Sequence, residues 1–220
     1  MLDIFVINLS ERIDRFERIK KDFNHPHINL IRIEAIKKNP GWIGLYETNK
    51  MILKKAIDEK LDNILIIEDD CKLDYNVNEF FEIFKNIKNW LDSNSDKWDI
   101  FNGGLNTNSF EPEFNKNIFF LNKIKAGNKK AYFMQLKNAV WACTQFIYIN
   151  KNSFQKIYND LELKCWDIFL NKYNALFSYP LLTTQYSCYS NIEKRNVNYD
   201  VYFNKTKVKI KYLIIRNNLL

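Results

Sequence analysis

Glycine is scarce in this sequence. The chain has five, Gly41, Gly44, Gly103, Gly104 and Gly127, about a third of what an average usage of about 7% would supply. Neither G-x-G-x-x-G nor G-x-x-x-x-G-K-[ST] can be written with them, so the two common glycine loops that cradle a phosphate are excluded. A nucleotide bound here needs another source of compensating charge. Cysteine is sparse as well: Cys71, Cys143, Cys165 and Cys188 stand far apart with no C-x-x-C. That spacing suits neither a zinc site nor a disulfide scaffold, and four reduced thiols in a cytosolic protein are expected. The only histidines, His25 and His27, share one turn-like stretch. The longest apolar runs, such as Ile64–Ile67 and Ala139–Cys143, are four or five residues, against about 18 for a membrane span. The opening MLDIFVINLSERIDR carries Asp3, a short apolar run and no small-residue cleavage site, unlike a signal peptide.

What is present argues for an ordered core. Of the 220 residues 46% are hydrophobic and 15% aromatic, and a chain of this size buries roughly 70% of its surface on folding. The formal charge of +7 leaves that surface basic.

Residues 3–8 (DIFVIN) predict a strand. Ser10 then precedes a helix with Ile13, Phe16, Ile19 and Phe23 at three- and four-residue spacing. Leu30–Ile36 predicts a second strand, residues 45–61 a second helix, and Ile64–Ile67 a short apolar strand ending in Glu68-Asp69-Asp70. Strands alternating with helices of this length predict an α/β fold, with a Rossmann-like, mostly parallel central sheet flanked by helices in a single domain. Ligands of such sheets sit beyond the carboxyl ends of the strands, where Asn8, Ile36 and Glu68 fall. Further along, Asn78–Leu91 predicts a helix and Trp98–Phe101 a strand. Residues 105–135 read as a polar, loop-rich insertion, and Ala139–Asn150 as β-rich. Short helices are expected at 153–161 and around KCWDIFLNKYN, and an extended segment at SYPLLTTQYSCYSNI.

An apolar strand ending in adjacent carboxylates is costly unless a cation compensates them. Glu68 and Asp70, two residues apart, share a face if extended. Hard oxygen donors there suit Mn²⁺ or Mg²⁺, with diphosphate oxygens completing the shell. An exposed acidic turn that caps the next element fits the same residues. A Walker B strand needs the missing glycine loop. A phospho-receiver domain needs acids after its first strand, which here ends in Asn8.

These residues, taken in order, resemble glycosyltransferase family 25, the lipooligosaccharide and collagen galactosyltransferase type. FVINLSERIDR is similar to the family's opening, RIEAI to its second strand, and residues 41–73 with ILIIEDDCKL to its central block. KWDIFNGG, CWDIFL and PLLTTQYSCYSNI are similar to its later motifs, and the matches span about 190 residues in order. The family's Cys after the second glycine and its Ser-His pair are replaced by Leu45 and Thr48-Asn49, and no C-terminal histidine is present to ligate a metal.

The resemblance implies a GT-A fold over residues 1–203, with a nucleotide-binding half at 1–75 and a sugar and acceptor half at 76–203. It implies metal-dependent, inverting transfer of a hexose from a UDP-sugar to a hydroxyl of a glycan or hydroxylysine-like acceptor, as in lipopolysaccharide or glycan biosynthesis. Asp70, with Glu68, would hold Mn²⁺ or Mg²⁺ in a DXD-like role, and Asp69 would touch ribose, sugar or metal-bound water. Arg12 or Arg15 would neutralise the diphosphate in place of a glycine loop. Asn8, Leu9, Ala35 and Ile36 would contact base and ribose, and Thr48 and Asn49 would also contact the donor nucleotide. Asp167 is the implied general base, Asp99 the second choice, and Gln185 and Ser190 would shape the sugar pocket. Tyr and Trp residues around 132–148 could stack on sugar rings or pack in the core.

The stretch from residue 204 to 220, with Lys205, Lys207, Lys209, Lys211 and Arg216 among apolar residues, reads as a basic appendage. It could touch an anionic membrane from the cytoplasmic side, at about 1 kcal/mol per cation, or stand solvated. Two other functions fit some of these features. One is a degenerate family member that binds a nucleotide sugar without transfer. The other is a basic nucleic-acid-binding protein, which the acidic triplet and the core-like aromatic spacing oppose, so no nucleic-acid partner is expected.

Overall fold

The computed structural model describes residues 1–106, 118–126, 129–136, 141–160, 162–190 and 192–217. Strand β1 (Leu2–Asn8) is an interior strand: Ile4, Phe5, Val6 and Ile7 are all buried, so both its faces are covered. Helix α1 (Ile13–Asp22) follows, then β2 (Ile28–Glu34), α2 (Gly41–Asp58) and β3 (Ile64–Glu68). Both β2 and β3 pair parallel with β1, one on each side. This is the predicted strand–helix alternation, with β2 starting two residues earlier and ending at Glu34, so that Ala35 and Ile36 belong to the loop after it. Ser10 does not cap α1; its hydroxyl bonds Glu11, and no side chain caps the helix.

The chain continues through β4 (Cys71–Leu73), α3 (Val77–Asp92), β5 (Ile100–Asn102), β6 (Ile118–Ala126), β7 (Lys129–Leu136) and β8 (Phe146–Ile149). A 3-10 turn (Lys151–Ser153) leads into α4 (Phe154–Asn159), then α5 (Trp166–Leu170), β9 (Ala175–Tyr179), β10 (Thr183–Gln185), β11 (Cys188–Ser190), β12 (Arg195–Val197) and α6 (Tyr199–Arg216). Helix α3 begins on a reciprocal cap: Asn76 Oδ1 accepts from Glu79 N at 3.0 Å while Asn76 Nδ2 donates to Glu79 Oε2.

Eight strands form the central sheet in the order β2-β1-β3-β8-β5-β9-β7-β6. All but β7 and β8 run in one direction, so the sheet is Rossmann-like with two reversed strands. Helices cover both faces. Ile52, Leu53, Phe154, Phe169, Ile210 and Leu213 of α2, α4, α5 and α6 pack on one side. Ile19 of α1 and Phe80, Ile83, Phe84, Ile87 and Leu91 of α3 pack on the other.

Two expectations change here. The stretch 105–135 is not simply loop: 118–126 and 129–136 are paired edge strands, while residues 107–117 lie outside the described residues. The boundary expected at 204 falls inside α6, whose Phe203, Thr206, Ile210, Leu213 and Ile214 are buried against the core. No helix among the described residues is long and apolar enough to cross a membrane.

Candidate active site

The strands β1, β3 and β5 end at one edge, at Asn8, Glu68 and Asn102, with the approach to the reversed strand β8 beside them. The loop after β2 is pressed onto this edge by α2. A Cβ on Gly44 would stand 2.0 Å from the Ile36 carbonyl oxygen, so only glycine permits that approach. One turn on, buried Thr48 clamps the same loop: its Oγ1 accepts from Ile36 N at 2.9 Å and donates to the Gly44 carbonyl at 2.7 Å. Asn49, also buried, donates to the Leu45 carbonyl. Thr48 and Asn49, proposed as ligand contacts, therefore sit behind the site and hold its wall, and neither lines the cavities at this edge.

The acidic triplet splits into two roles. Asp69 is buried and fully engaged. Its Oδ1 takes Arg15 Nη1 at 2.8 Å and its Oδ2 takes Asn8 Nδ2 at 2.8 Å. The other Arg15 amine donates to the Tyr189 carbonyl at 2.7 Å and lies 3.3 Å from Cys188 Sγ. Asn8 Oδ1 in turn accepts from Arg32. Arg15, Asn8 and Asp69 are thus a buried strut joining β1, α1 and β11; Arg15 also lines the neighbouring cavity beside Arg12, and its Nε is buried without a hydrogen-bond partner. Glu68 and Asp70 are different. Glu68 Oε1 accepts from Thr144 Oγ1 at 2.8 Å, and Asp70 Oδ1 stands 3.4 Å from Gln185 Nε2. Burial, and then the facing Asp70, pushes the Glu68 carboxyl up; burial, and then Asp69, pushes Asp70 up against the opposing pull of Arg15.

Two cavities meet at Glu68. The first, about 500 Å³, is lined by Leu9, Arg12, Ala35, Ile36, Lys37, Lys38, Gly41, Asp69 and Asp70. The second, about 470 Å³, is lined by Trp42, Asn106, Cys143, Thr144, Trp166, Asp167, Gln185, Arg195, Tyr199 and Tyr202. Glu68, Leu45, Ser190 and Ile192 line both. Ser190 Oγ accepts from Glu193 N and so shapes the β11–β12 hairpin that spans the two mouths. Arg12 reaches the first cavity with its guanidinium forked onto Asp14 at 3.0 Å twice.

Asp167, in the first turn of α5, lines the second cavity. Burial raises its carboxyl above the ordinary range, against the backbone N–H groups of Ile168 and Cys143. Asp99 is not part of the site. It precedes β5 at the opposite end from Asn102, where it accepts from Ser153 Oγ, Lys156 Nζ and Asn174 N. These bonds outweigh its burial and hold it below the ordinary range. Tyr132, Trp141 and Tyr148 are buried core residues, so the stacking option for them is lost. His25 and His27 stack on Phe81, away from the carboxylates.

Several lining residues escaped the sequence. Thr144 is an ordinary polar residue whose value comes from facing Glu68. Cys143 before it has φ 77°, a left-handed conformation that a non-glycine residue rarely adopts. Trp42, Tyr199 and Tyr202 are set by helix ends, and Lys37 and Lys38 by the clamped loop. The last pair carried a signal, two cations directly after the strand-end Ala35-Ile36.

The donor set at the junction fits a hard divalent cation. Glu68 and Asp70 offer carboxylate oxygens that burial and neighbouring carboxylates raise despite the pull of Arg15 on Asp70. Among the described residues, no three His, Cys, Asp or Glu side chains come together. Two carboxylates with ligand phosphates and water are a common magnesium or manganese arrangement.

No protein-family model matches the chain, and no curated protein sequence does. Among solved structures, the chain is similar to A197 from STIV, with a TM-score of 0.47 and 9% identity over 90% of this chain and 95% of that one. It is also similar to a glycosyltransferase involved in the glycosylation of the major capsid of PBCV-1. There the TM-score is 0.37 and the identity 9%, over 76% of this chain and 69% of that one.

Proposed function

We propose that the chain is a glycosyltransferase of GT-A type that moves a hexose from a UDP-sugar to a hydroxyl of a glycan or protein-linked acceptor, with inversion. The observation that carries this reading is the junction: Glu68 belongs to both a cation-lined cavity and a cavity holding a raised carboxyl, Asp167. A two-substrate transfer needs that arrangement, because donor and acceptor must meet at one atom.

The first cavity takes the nucleotide. The backbone around Leu9, Ala35 and Ile36 faces base and ribose, and Lys38 and Arg15, with Lys37 and Arg12 drawn from their pairs with Glu11 and Asp14, supply positive charge to the diphosphate. Asp70 and Glu68 would hold a Mn²⁺ or Mg²⁺, which would supply charge stabilisation for the departing diphosphate. Asp167 accepts the proton of the acceptor hydroxyl as its oxygen bonds the anomeric carbon. The carbon–oxygen bond to the diphosphate breaks, and UDP leaves with the electron pair. A carboxylate raised by burial is a stronger base for that step. Trp166, Trp42, Tyr199 and Tyr202 line the acceptor side and limit water there.

The test is a panel of nucleotide sugars with Mn²⁺ or EDTA, read as released nucleotide and as thermal shift. UDP-dependent stabilisation that requires metal and disappears in Asp70→Ala is expected. Stabilisation by oligonucleotides and by no nucleotide overturns the reading, and donor binding without turnover on any acceptor reduces it to a binding protein.

A further inference from the structure

The cation of the proposed transfer lacks a third protein ligand. Histidine cannot supply it, since His25 and His27 stack on Phe81, and no third acid, cysteine or histidine joins Glu68 and Asp70 among the described residues. The neighbouring arginines pull the Asp70 carboxyl down without overcoming its burial and Asp69. Arg15 bonds Asp69 and Tyr189, and Arg18 lies 4.0 Å over the Tyr186 ring with one amine on the Asp69 carbonyl.

Gln185 is the remaining group at this point. It is only 7% exposed, it lines the same cavity as Glu68, and its Oε1 is buried without a hydrogen-bond partner. An unpartnered buried amide oxygen costs about 1–3 kcal/mol; here the nitrogen Nε2, not this oxygen, faces Asp70, so the oxygen meets the acids only when the amide turns over. The backbone fixes Gln185 there. Gln185 pairs with Cys71 across β10 and β4, and the next residue, Tyr186, donates its N–H to the Asp70 carbonyl at 2.8 Å. The Nε2 to Asp70 Oδ1 separation of 3.4 Å is long for a hydrogen bond to a carboxylate. It is at the upper end of the spacing of adjacent oxygens around an octahedral cation, about 2.8–3.4 Å for bonds of about 2.0–2.4 Å. Half a turn of the amide exchanges nitrogen for oxygen at that position. Gln145 also has an orphan Oε1 but does not line the cavity, and its Nε2 is committed to the Gly104 carbonyl.

We infer that Gln185 is the third protein ligand of a divalent cation held with Glu68 and Asp70, its amide oxygen standing where a histidine would otherwise serve. This rests on the metal-dependent reading above, and it adds a neutral, hard donor that favours Mn²⁺ or Mg²⁺ over softer metals.

The test is binding of Mn²⁺ alone, and Mn²⁺ with UDP, to the metal-free full chain, followed by the electron paramagnetic resonance signal of free Mn²⁺. Gln185→Met keeps the volume and removes the oxygen; it is expected to weaken Mn²⁺ by about tenfold or more. Gln185→Glu restores an oxygen donor and is expected to bind at least as tightly as the unaltered chain. Thermal melts in EDTA confirm that both variants are folded. If Gln185→Met binds Mn²⁺ like the unaltered chain while Asp70→Asn does not, the carboxylate site stands and Gln185 is not a ligand. If the unaltered chain takes up no Mn²⁺ with or without UDP, both the ligand assignment and the metal-dependent reading fall.

Discussion

Arg15 and Asp69 form a buried ion pair, Nη1 to Oδ1 at 2.8 Å, with side chains only 7% and 11% exposed. The pair ties α1 to the end of β3, and the second Arg15 amine carries the tie to Tyr189 in β11. Removing one partner of a buried pair leaves an uncompensated charge and costs about 3–5 kcal/mol. Arg15→Met is therefore expected to lose about that much in urea unfolding, and to loosen the hairpin over both cavities so that UDP binds more weakly. A loss below about 1 kcal/mol, the range of surface pairs, contradicts the strut.

Thr48 offers a sharper local test. Thr48→Val keeps the shape and deletes the hydroxyl that bridges Ile36 N and the Gly44 carbonyl. Stranding those groups is expected to cost about 1–3 kcal/mol, with Thr48→Ser nearly neutral. Because the clamp holds Lys37 and Lys38 in place, the KM for the donor is expected to rise in Thr48→Val while kcat stays close to its original value. Steady-state kinetics beside a thermal melt separate the two effects.

The first half of the fold was legible because its signals are local. Ile4–Ile7 and Ile64–Ile67 are apolar runs that only a doubly covered strand explains, and their polar ends, Asn8 and Glu68, mark the carboxyl edge. The β6–β7 pair had a signal that the polar composition of residues 105–135 obscured. Two β-rich runs flank Gly127-Asn128, a two-residue hairpin signature. Direction was the hidden variable at the site. Asp99 sits at the amino end of β5, Thr48 on the inward face of α2, and Asp69 turns toward Arg15 while its neighbours face the cavities. A motif fixes residue type and spacing, but tertiary packing decides which way each side chain points.

Protons should oppose the metal. Burial, with Asp70 beside Glu68 and Asp69 beside Asp70, raises both Glu68 and Asp70 in the metal-free chain. Carboxyls raised on folding contribute stability that is complete below their unfolded values, about pH 4, and is lost as pH climbs through the raised ones. Metal-free protein should thus lose stability upward from about pH 4 relative to Asp70→Asn, in which part of the effect is gone. Mn²⁺ needs both groups ionised, so its thermal shift is expected to be larger at about pH 8 than at about pH 5. A shift that shrinks as pH rises contradicts this assignment of the two acids.

Asp167 and Asp99 are two acids that the sequence offered for one role, and their surroundings predict opposite phenotypes. Asp167 faces a cavity with its carboxyl raised by burial; Asp99 holds Ser153, Lys156 and Asn174 together with its carboxyl lowered. Asp167→Asn removes the proton acceptor but little packing, so kcat is expected to fall by about 10²–10⁴-fold with UDP affinity and melting temperature nearly unchanged. Asp99→Ala strands three donors and is expected to cost about 1–3 kcal/mol of stability while kcat of the folded fraction persists. Measuring both variants by transfer rate and by denaturation settles the roles in one experiment. A catalytic loss in Asp99→Ala without a stability loss would reverse the assignment, because the groups Asp99 touches belong to the far edge of the sheet.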